Sequence, residues 1–520
     1  MPRNRAAGTR RARKPSLAAA LARPAAYGHD VAAVRVAETH ISWVFLTGEY
    51  AYKVKKPLKL PFLDFSSLER RRHFCEEELR LNRRLAPQLY LEVVPIGGDA
   101  RSPRVGAVPA IEYAVKMRQF PEDARLDRRL AAGALVAEPL RAFGARLARF
   151  HAQQKPLAPR SAAATALAGA LENFDELRAD LHGRKVRELA ALREWTEERA
   201  ASIAPLIERR AAEGRYRECH GDLHLENLLM LDAEIIAFDA LEFDSRLREI
   251  DVACEASFLT MDLAAHGRTD LAYEFLTSYL EAGGDYGGLD VLRFYVVHLA
   301  LVRAKVRALK AAQKHAEVGR AEIAPYLNTA RDFVAPRAPL LVIAHGLSGS
   351  GKTHVTQALI GSLGAIRVRS DLERKRLHGL AAGDRSGSAV ASGLYDARAD
   401  ERTYVRLAEV GAAALRNGFD AIIDATFLRH EERDAFARLA TRYGARFAIL
   451  DCVAPEEVLR VRITARAAEA RDASEAGLEV LDHQLAAQDR LDASEEVAAV
   501  RVPTDAPLDL RAVLGALARR

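Results

Sequence analysis

Two short runs carry most of the chemistry written into this chain. The first reads HGDLHLENLL from His220, and the apolar run IIAFD that follows it ends at Asp239. The second reads GLSGSGKT from Gly346 to Thr353, directly after the apolar run LLVIAH. Phosphoryl transfer asks little covalent chemistry of a protein: a cation near the phosphates, oxygen ligands for Mg²⁺, and a base for the acceptor hydroxyl. Asp222 is the candidate base, and Asn227 on the same loop and Asp239 at a strand end are candidate Mg²⁺ ligands, since hard oxygen donors suit that ion. In the second run, Gly346-x4-Gly351-Lys352-Thr353 meets the phosphate-loop pattern in the strand-to-helix setting it requires. Its loop, with Ser348, Gly349 and Ser350 between the outer glycines, can turn backbone N–H groups inward around phosphate oxygens, and the helix N-terminus adds positive potential. Lys352 is expected to reach the β/γ-phosphates and Thr353 to ligate Mg²⁺. Each run is a way of holding a nucleoside triphosphate, so ATP and Mg²⁺ are the cofactors expected at both.

Other residues fit around these runs. Lys53 and Lys55 lie two apart in YAYKVKK and so on one face of a strand, where one of them can reach the α/β-phosphates. Glu78, on the next helix, is the natural ion-pair partner to fix it. Past the glycine loop, Asp371 follows the second strand and can take a proton from an acceptor hydroxyl, with Arg374 near enough to bind an anionic group. Asp424 ends the strand AIIDAT, suited to the surroundings of Mg²⁺ or to the acceptor. Arg462, Arg466 and Arg471 keep near one helical face, with Arg460 close by, and can form a lid over the phosphates or a solvated basic face. His220 is expected to support its loop rather than to act as a catalyst. Asp244 and Asp251 can be solvated, can cap helices or can touch the site, and His151 and Cys219 read as structural.

These residues need elements to position them. Residues 40–60 read as a hairpin about Gly48–Glu49, 66–86 as a helix capped by serine, and 90–96 and 110–120 as further strands. From about 125 to 333 the apolar period is helical, broken only by a β-like stretch at 228–243. The prolines of Ala335-Pro-Arg-Ala-Pro339 then disfavour a continuing helix. Beyond them LLVIAH, AIRVRS, AIIDAT and RFAILDCV alternate with helical stretches, the rhythm of a parallel sheet. The fold class expected is an α+β bilobal domain followed by an α/β domain with a parallel sheet. Its parts are a flexible basic tail at 1–25, a first domain at 26–334 with lobes at 26–120 and 121–334, a linker at 335–339, and a second domain at 340–520.

At 520 residues the chain is too long for one core. Its 28% of charged residues mix both signs and the net charge is only +6, partly from the first 14 residues, which argues against a whole-surface nucleic-acid binder. The four cysteines are far apart with no CxxC pair, which argues against a disulfide framework or a zinc cage and fits a cytoplasmic setting. No apolar run is long enough to span a bilayer, so no membrane partner is expected.

The motifs HGDLHLEN and FDALEFD, with YAYKVKKP and EEELRLNRRLAP, resemble the aminoglycoside phosphotransferase-like branch of the protein-kinase-like fold. That resemblance implies Asp222 as catalytic base, Asn227 and Asp239 on Mg²⁺, and a lysine–Glu78 pair in the amino-terminal lobe. The chain departs from protein kinases in having no GxGxxG loop before the lysine and Asp-Ala-Leu where they carry Asp-Phe-Gly. The motifs GLSGSGKT, SDLERKR and IIDATF and the arginine-rich stretch are similar to the small P-loop kinases of the gluconate kinase, polynucleotide kinase and zeta-toxin kind. Together they imply a bifunctional ATP-dependent phosphotransferase acting on hydroxyl groups of small molecules. An ATP-binding regulator with one active domain and a polynucleotide 5′-hydroxyl kinase in the second half are the alternatives; nucleic acid is the less favoured partner.

Overall fold

The computed structural model describes residues 16–60, 63–178, 184–313, 320–381, 384, 397–469 and 477–520. Most of the basic tail and Arg471 lie outside the described residues. The chain forms two compact units, one of residues 1–134 and 220–248, the other of residues 135–219 and 249–520.

The first unit is built on a six-stranded antiparallel sheet, in the order Arg35–Glu38, Ser42–Leu46, Tyr50–Lys55, Ala110–Arg118, Tyr90–Asp99, Ser102–Val105. The expected hairpin pairs Leu46 with Ala51 around Gly48, whose φ of 103° a side chain would strain. In Tyr50–Lys55 the side chains alternate across the sheet. Tyr52 and Val54 join a core with Phe45, Val94, Ile96 and Ala114. Lys53 and Lys55 therefore point to the opposite face, where the helix Leu68–Asn82 packs. That helix starts at Ser67, whose Oγ accepts from the Arg70 N–H at 3.3 Å. Its buried residues Arg71, Cys75, Glu78, Leu81 and Asn82 recur at helical spacing on one face. The stretch 220–248 adds a small hairpin, Leu228–Leu231 with Glu234–Ala237, closed by Asp232 and Ala233, both with positive φ.

The second unit joins a helical bundle to a parallel sheet. The bundle contains Ala137–Gln153, Ala162–Arg178, Arg184–Ala212, Val252–Ala265, Thr269–Gly283, Leu289–Gln313 and Arg320–Val334. The sheet runs Ala365–Arg369, Asp420–Asp424, Leu340–His345, Arg446–Val453, Ala499–Pro503, with every neighbouring pair parallel. The strand before the glycine loop is central, so the loop opens at the carboxyl ends of the strands, beside the reversal of strand order where such sheets bind ligands. Four of these strands are legible in the sequence; the fifth, AVRVP, is short and follows a helix without a turn signal. The segment 335–339 is pinned at its end: Leu340 N–H donates to Asp420 Oδ1 at 2.8 Å, and Arg337 pairs with Asp420 at 2.5 Å.

Within the bundle, Arg210 is 5% exposed and binds Asp251 and Asp285 with two nitrogens each, all at 2.8–2.9 Å. Asp251 also caps Val252–Ala265 by accepting from the Ala253 N–H. Arg210→Met would leave Asp251 buried without a cation and Asp285 with only the more distant Arg215 Nε, at 3.8 Å. It is expected to lower unfolding free energy by about 3–5 kcal/mol in a denaturant titration, whereas Arg72→Ala, at an exposed helical pair, leaves it nearly unchanged.

Candidate functional site

The first constellation lies within the first unit, where the exposed end of a buried ion cluster meets a loop. Lys53 Nζ lies 2.5 Å from Asp239 Oδ1 and 2.8 Å from Glu78 Oε1. Lys55 Nζ lies 2.8 Å from Glu78 Oε2 and also donates to Glu242. Glu78 thus holds both lysines, one on each oxygen. Burial alone would raise its carboxyl, but the two ammonium groups outweigh burial and hold it at about 2. Burial lifts Glu242 above the ordinary range against the pull of Lys55. Lys55 is wholly enclosed, whereas the Asp239 carboxylate facing Lys53 is 43% exposed. Of the two lysines, Lys53 is the one at the accessible end.

Backbone hydrogen bonds fix the loop residues. Asp239 has φ +62°, unusual for a side-chain-bearing residue, and its N–H donates to Tyr90 Oη at 3.1 Å. The next N–H, of Ala240, donates to Asn82 Oδ1 at 2.9 Å, so the helix that bears Glu78 also holds the turn that bears Asp239. Phe238 N–H donates to Asn227 O at 3.0 Å, which sets Asn227 and Asp239 at the open end of one hairpin. Asn227 Nδ2 donates to Asp222 Oδ2 at 2.8 Å, and His224 Nε2 lies 3.2 Å from the same oxygen. His220 is buried, with Nε2 2.9 Å from Phe238 O and Nδ1 accepting from the Asp222 N–H, a bracing position. Asp244 caps the turn Ser245–Leu247 and pairs with Arg246. The oxygens of Asn227 and Asp239 suit Mg²⁺, and the Asp222 carboxylate is oriented by an amide as a base would be.

The second constellation lines a cleft of about 640 Å³ in the second unit. Gly346, Gly349 and Gly351 all have positive φ; a Cβ on Gly346 would stand 2.5 Å from Cys452 O. Lys352 Nζ donates to Gly346 O and Leu347 O, both at 2.8 Å, and burial lowers its pKa against the pull of Asp424. Ser348, Gly349, Gly351, Lys352, Thr353, Asp371, Arg374, Asp424, Arg462 and Arg466 all line the cleft. Gly346 and Ser350 complete the loop behind them. Asp424 Oδ2 accepts from Thr356 Oγ1 at 3.2 Å, one turn along the helix from Thr353. Arg462 donates to Gly349 O at 3.3 Å and to Thr504 O at 2.5 Å, clamping the loop, while Arg460 pairs with Glu456 and Asp482 instead. Arg374 pairs with Asp400 at 2.8 Å; Arg376 turns to Glu373 and Glu281.

Asp400, Tyr404, Arg429, Glu432, His483 and Gln484 also line this cleft. No local pattern marks them in the sequence. They arrive from the helix Ala397–Arg416, the start of His430–Arg442 and the helix Leu478–Ala487.

Residues 62–295 match the phosphotransferase enzyme family, and residues 341–491 match an AAA domain. Uncharacterised proteins of Mycobacterium tuberculosis and Mycobacterium bovis are 31% identical over 453 residues, covering 85% of this chain and 88% of theirs. This chain belongs to the same family as those proteins. Among solved structures, a glucosamine kinase is 18% identical, covering 62% of this chain and 81% of its own, with a TM-score of 0.37. A gluconokinase from Sinorhizobium meliloti is 23% identical, covering 35% of this chain and 94% of its own, with a TM-score of 0.26. The matched segments set a phosphotransferase-family part, residues 62–295, before a P-loop part, residues 341–491. No helix among the described residues is long and apolar enough to cross a membrane.

The two lysines of the first cluster should separate by experiment. Lys55→Met leaves Glu242 buried without its cation and is expected to cost about 3–5 kcal/mol of stability in a denaturant titration. Lys53→Met leaves Glu78 with Lys55 and Asp239 with water. It is expected to fold and to lose nucleotide affinity at this site, read with a fluorescent ATP analogue in a Lys352→Ala background.

Proposed function

We propose that the protein is a bifunctional ATP-dependent phosphotransferase, moving the γ-phosphate to hydroxyl groups of two small-molecule acceptors. The observation that supports this reading is that each unit brings its own lysine close to carboxylate, amide or hydroxyl oxygens. In the first, Lys53 steadies the nucleotide phosphates with Glu78 and Lys55 behind it, Asn227 and Asp239 hold Mg²⁺, and Asp222 takes the acceptor proton. In the second, the loop from Gly346 to Thr353 cradles the phosphates, Lys352 faces the β/γ-phosphates, Thr353 and Asp424 hold Mg²⁺, and Asp371 takes the proton. Arg462 and Arg466 offset charge on the transferring group. The bound metal would neutralise phosphate charge; the residues named supply orientation and proton acceptance.

A cleft of about 640 Å³ suits a small ligand more than a polymer. Its arginines are also interleaved with Asp371, Asp400, Asp424 and Glu432, and Arg374 is already paired, which favours a polar, weakly charged acceptor over a polyanion. The sequence boundaries at 26–334 and 340–520 are proposed as the two catalytic halves.

The test is transfer of labelled γ-phosphate by the intact chain to a panel of sugars, amino alcohols, aminoglycosides and 5′-hydroxyl oligonucleotides. Asp222→Ala is expected to lower one transfer by about 10²–10⁴-fold and spare the other. Lys352→Ala is expected to do the reverse. Loss of both transfers with either variant would leave one centre and a regulator, and labelling of the oligonucleotide alone would leave an end-directed kinase.

A further inference from the structure

The helix Thr269–Gly283 belongs to the segment that matches the phosphotransferase family, yet one of its faces packs against the helix that follows the glycine loop. Asp270, Glu274, Thr277 and Glu281 recur every three or four residues on that face. A Cβ on Gly361, in the helix Lys352–Leu363, would stand 3.1 Å from Asp270 O, so the two helices approach closely. Glu274 Oε2 accepts from Gln357 Nε2 at 2.8 Å, and Thr277 Oγ1 donates to Ala365 O at 3.3 Å. At the end of the row, Glu281 takes Arg367 with both oxygens, Nε at 2.7 Å and an Nη at 3.2 Å.

Arg367 is an unusual residue for its place. It sits in the middle of a strand of the parallel sheet, only 3% exposed. An arginine there keeps its charge only if its donors are satisfied. Beyond Glu281, its Nη2 donates to Gln357 Oε1 at 3.0 Å. Its Nη1 reaches Thr353 O at 3.4 Å and Thr356 Oγ1 at 3.5 Å. Thr356 Oγ1 lies in turn 3.2 Å from Asp424 Oδ2. A continuous hydrogen-bonded path therefore runs from Glu281 through Arg367 to the first turn of the P-loop helix and to the strand-end carboxylate. Thr353 and Asp424 are the two oxygen ligands assigned to the metal at that site.

We propose that Arg367, held by Glu281, is a positioning residue of the P-loop site, so that the site is completed by a helix from outside the P-loop sequence. The proposal rests on the reading of that site as a Mg²⁺-nucleotide centre. The rigid guanidinium fork matters: Nε and Nη2, on one edge, grip the carboxylate, and Nη1 reaches the backbone oxygen of Thr353. This fixes the helix turn that aims the Thr353 hydroxyl, and Thr356 fixes Asp424 opposite. The P-loop part is on this account not autonomous, which accords with its membership of one compact unit with the helical bundle.

The experiment uses the full chain in an Asp222→Ala background and measures ATP consumption against Mg²⁺ concentration, together with thermal unfolding. Lost outer partners of metal ligands weaken metal binding by about tenfold or more, so Arg367→Gln is expected to raise the half-maximal Mg²⁺ concentration by that factor. Glu281→Gln should move it the same way by less. Arg367→Lys keeps the charge for Glu281 without the fork and serves if the glutamine variant does not fold; it too should raise the Mg²⁺ requirement. The exchange Glu281→Arg with Arg367→Glu restores a buried pair but takes the guanidinium nitrogen away from Thr353 O, leaving that oxygen to the Thr356 hydroxyl at 3.2 Å. It should recover thermal stability without recovering Mg²⁺ affinity. An unchanged Mg²⁺ requirement in folded Arg367 variants, or its recovery in the exchange, overturns the proposal. ATP consumption that Lys352→Ala does not remove overturns instead the nucleotide-site reading beneath it.

Discussion

A lysine or arginine taken out of water must be given a partner, or its charged form is lost. Much of this protein is organised around that constraint. Phosphate sites need cations held in place at the edge of solvent, and cations so placed must be neutralised from behind. Glu78 does this for Lys53 and Lys55 at once, one carboxylate oxygen to each. Around Lys352 the loop's own carbonyls of Gly346 and Leu347 take its hydrogen bonds without cancelling its charge. Behind both stands secondary structure chosen for the purpose: a strand whose odd positions carry lysine, and a strand-to-helix turn whose glycines tolerate positive φ.

The two solutions differ in what they leave available. In the first unit the counter-charges are carboxylates, and Asp239 is at once the partner of Lys53 and the most exposed member of the cluster. Its position comes from the helix that carries Glu78, through Asn82. Cation and carboxylate are therefore set by one element. In the second unit the partners of Lys352 are neutral oxygens, and the surrounding charges are spread over the ends of several strands and helices. On the proposal above, the P-loop depends on its neighbours through the buried Arg367–Glu281 pair.

What the residues reveal on their own follows from range. The glycine loop, the His-x-Asp-x4-Asn run and the strand-borne Asp239 are local patterns, and they are legible because the backbone geometry that makes them work is itself local. The pairing of Lys53 and Lys55 with Glu78 is legible too, since period-two alternation places both lysines on the face toward the next helix. Which lysine lies at the accessible end is not legible. It is set by Glu242, a residue 187 positions from Lys55, which closes over that lysine and leaves Lys53 to Asp239. The same holds for Asp400, Tyr404 and Glu432, which enter the second cleft from helices with no motif, and for Glu281, which reads as an ordinary helix acid. A buried arginine in the middle of AIRVR was the one available sign that a partner must come from elsewhere.

On the proposed function this polypeptide builds two separate sites for a magnesium-bound triphosphate. Calorimetric titration of the intact chain with a non-hydrolysable ATP analogue in Mg²⁺ tests it most directly. Two nucleotides should bind per chain, falling to one with Lys352→Ala and to one with Lys53→Met. A single nucleotide per chain whose binding survives either substitution would contradict it.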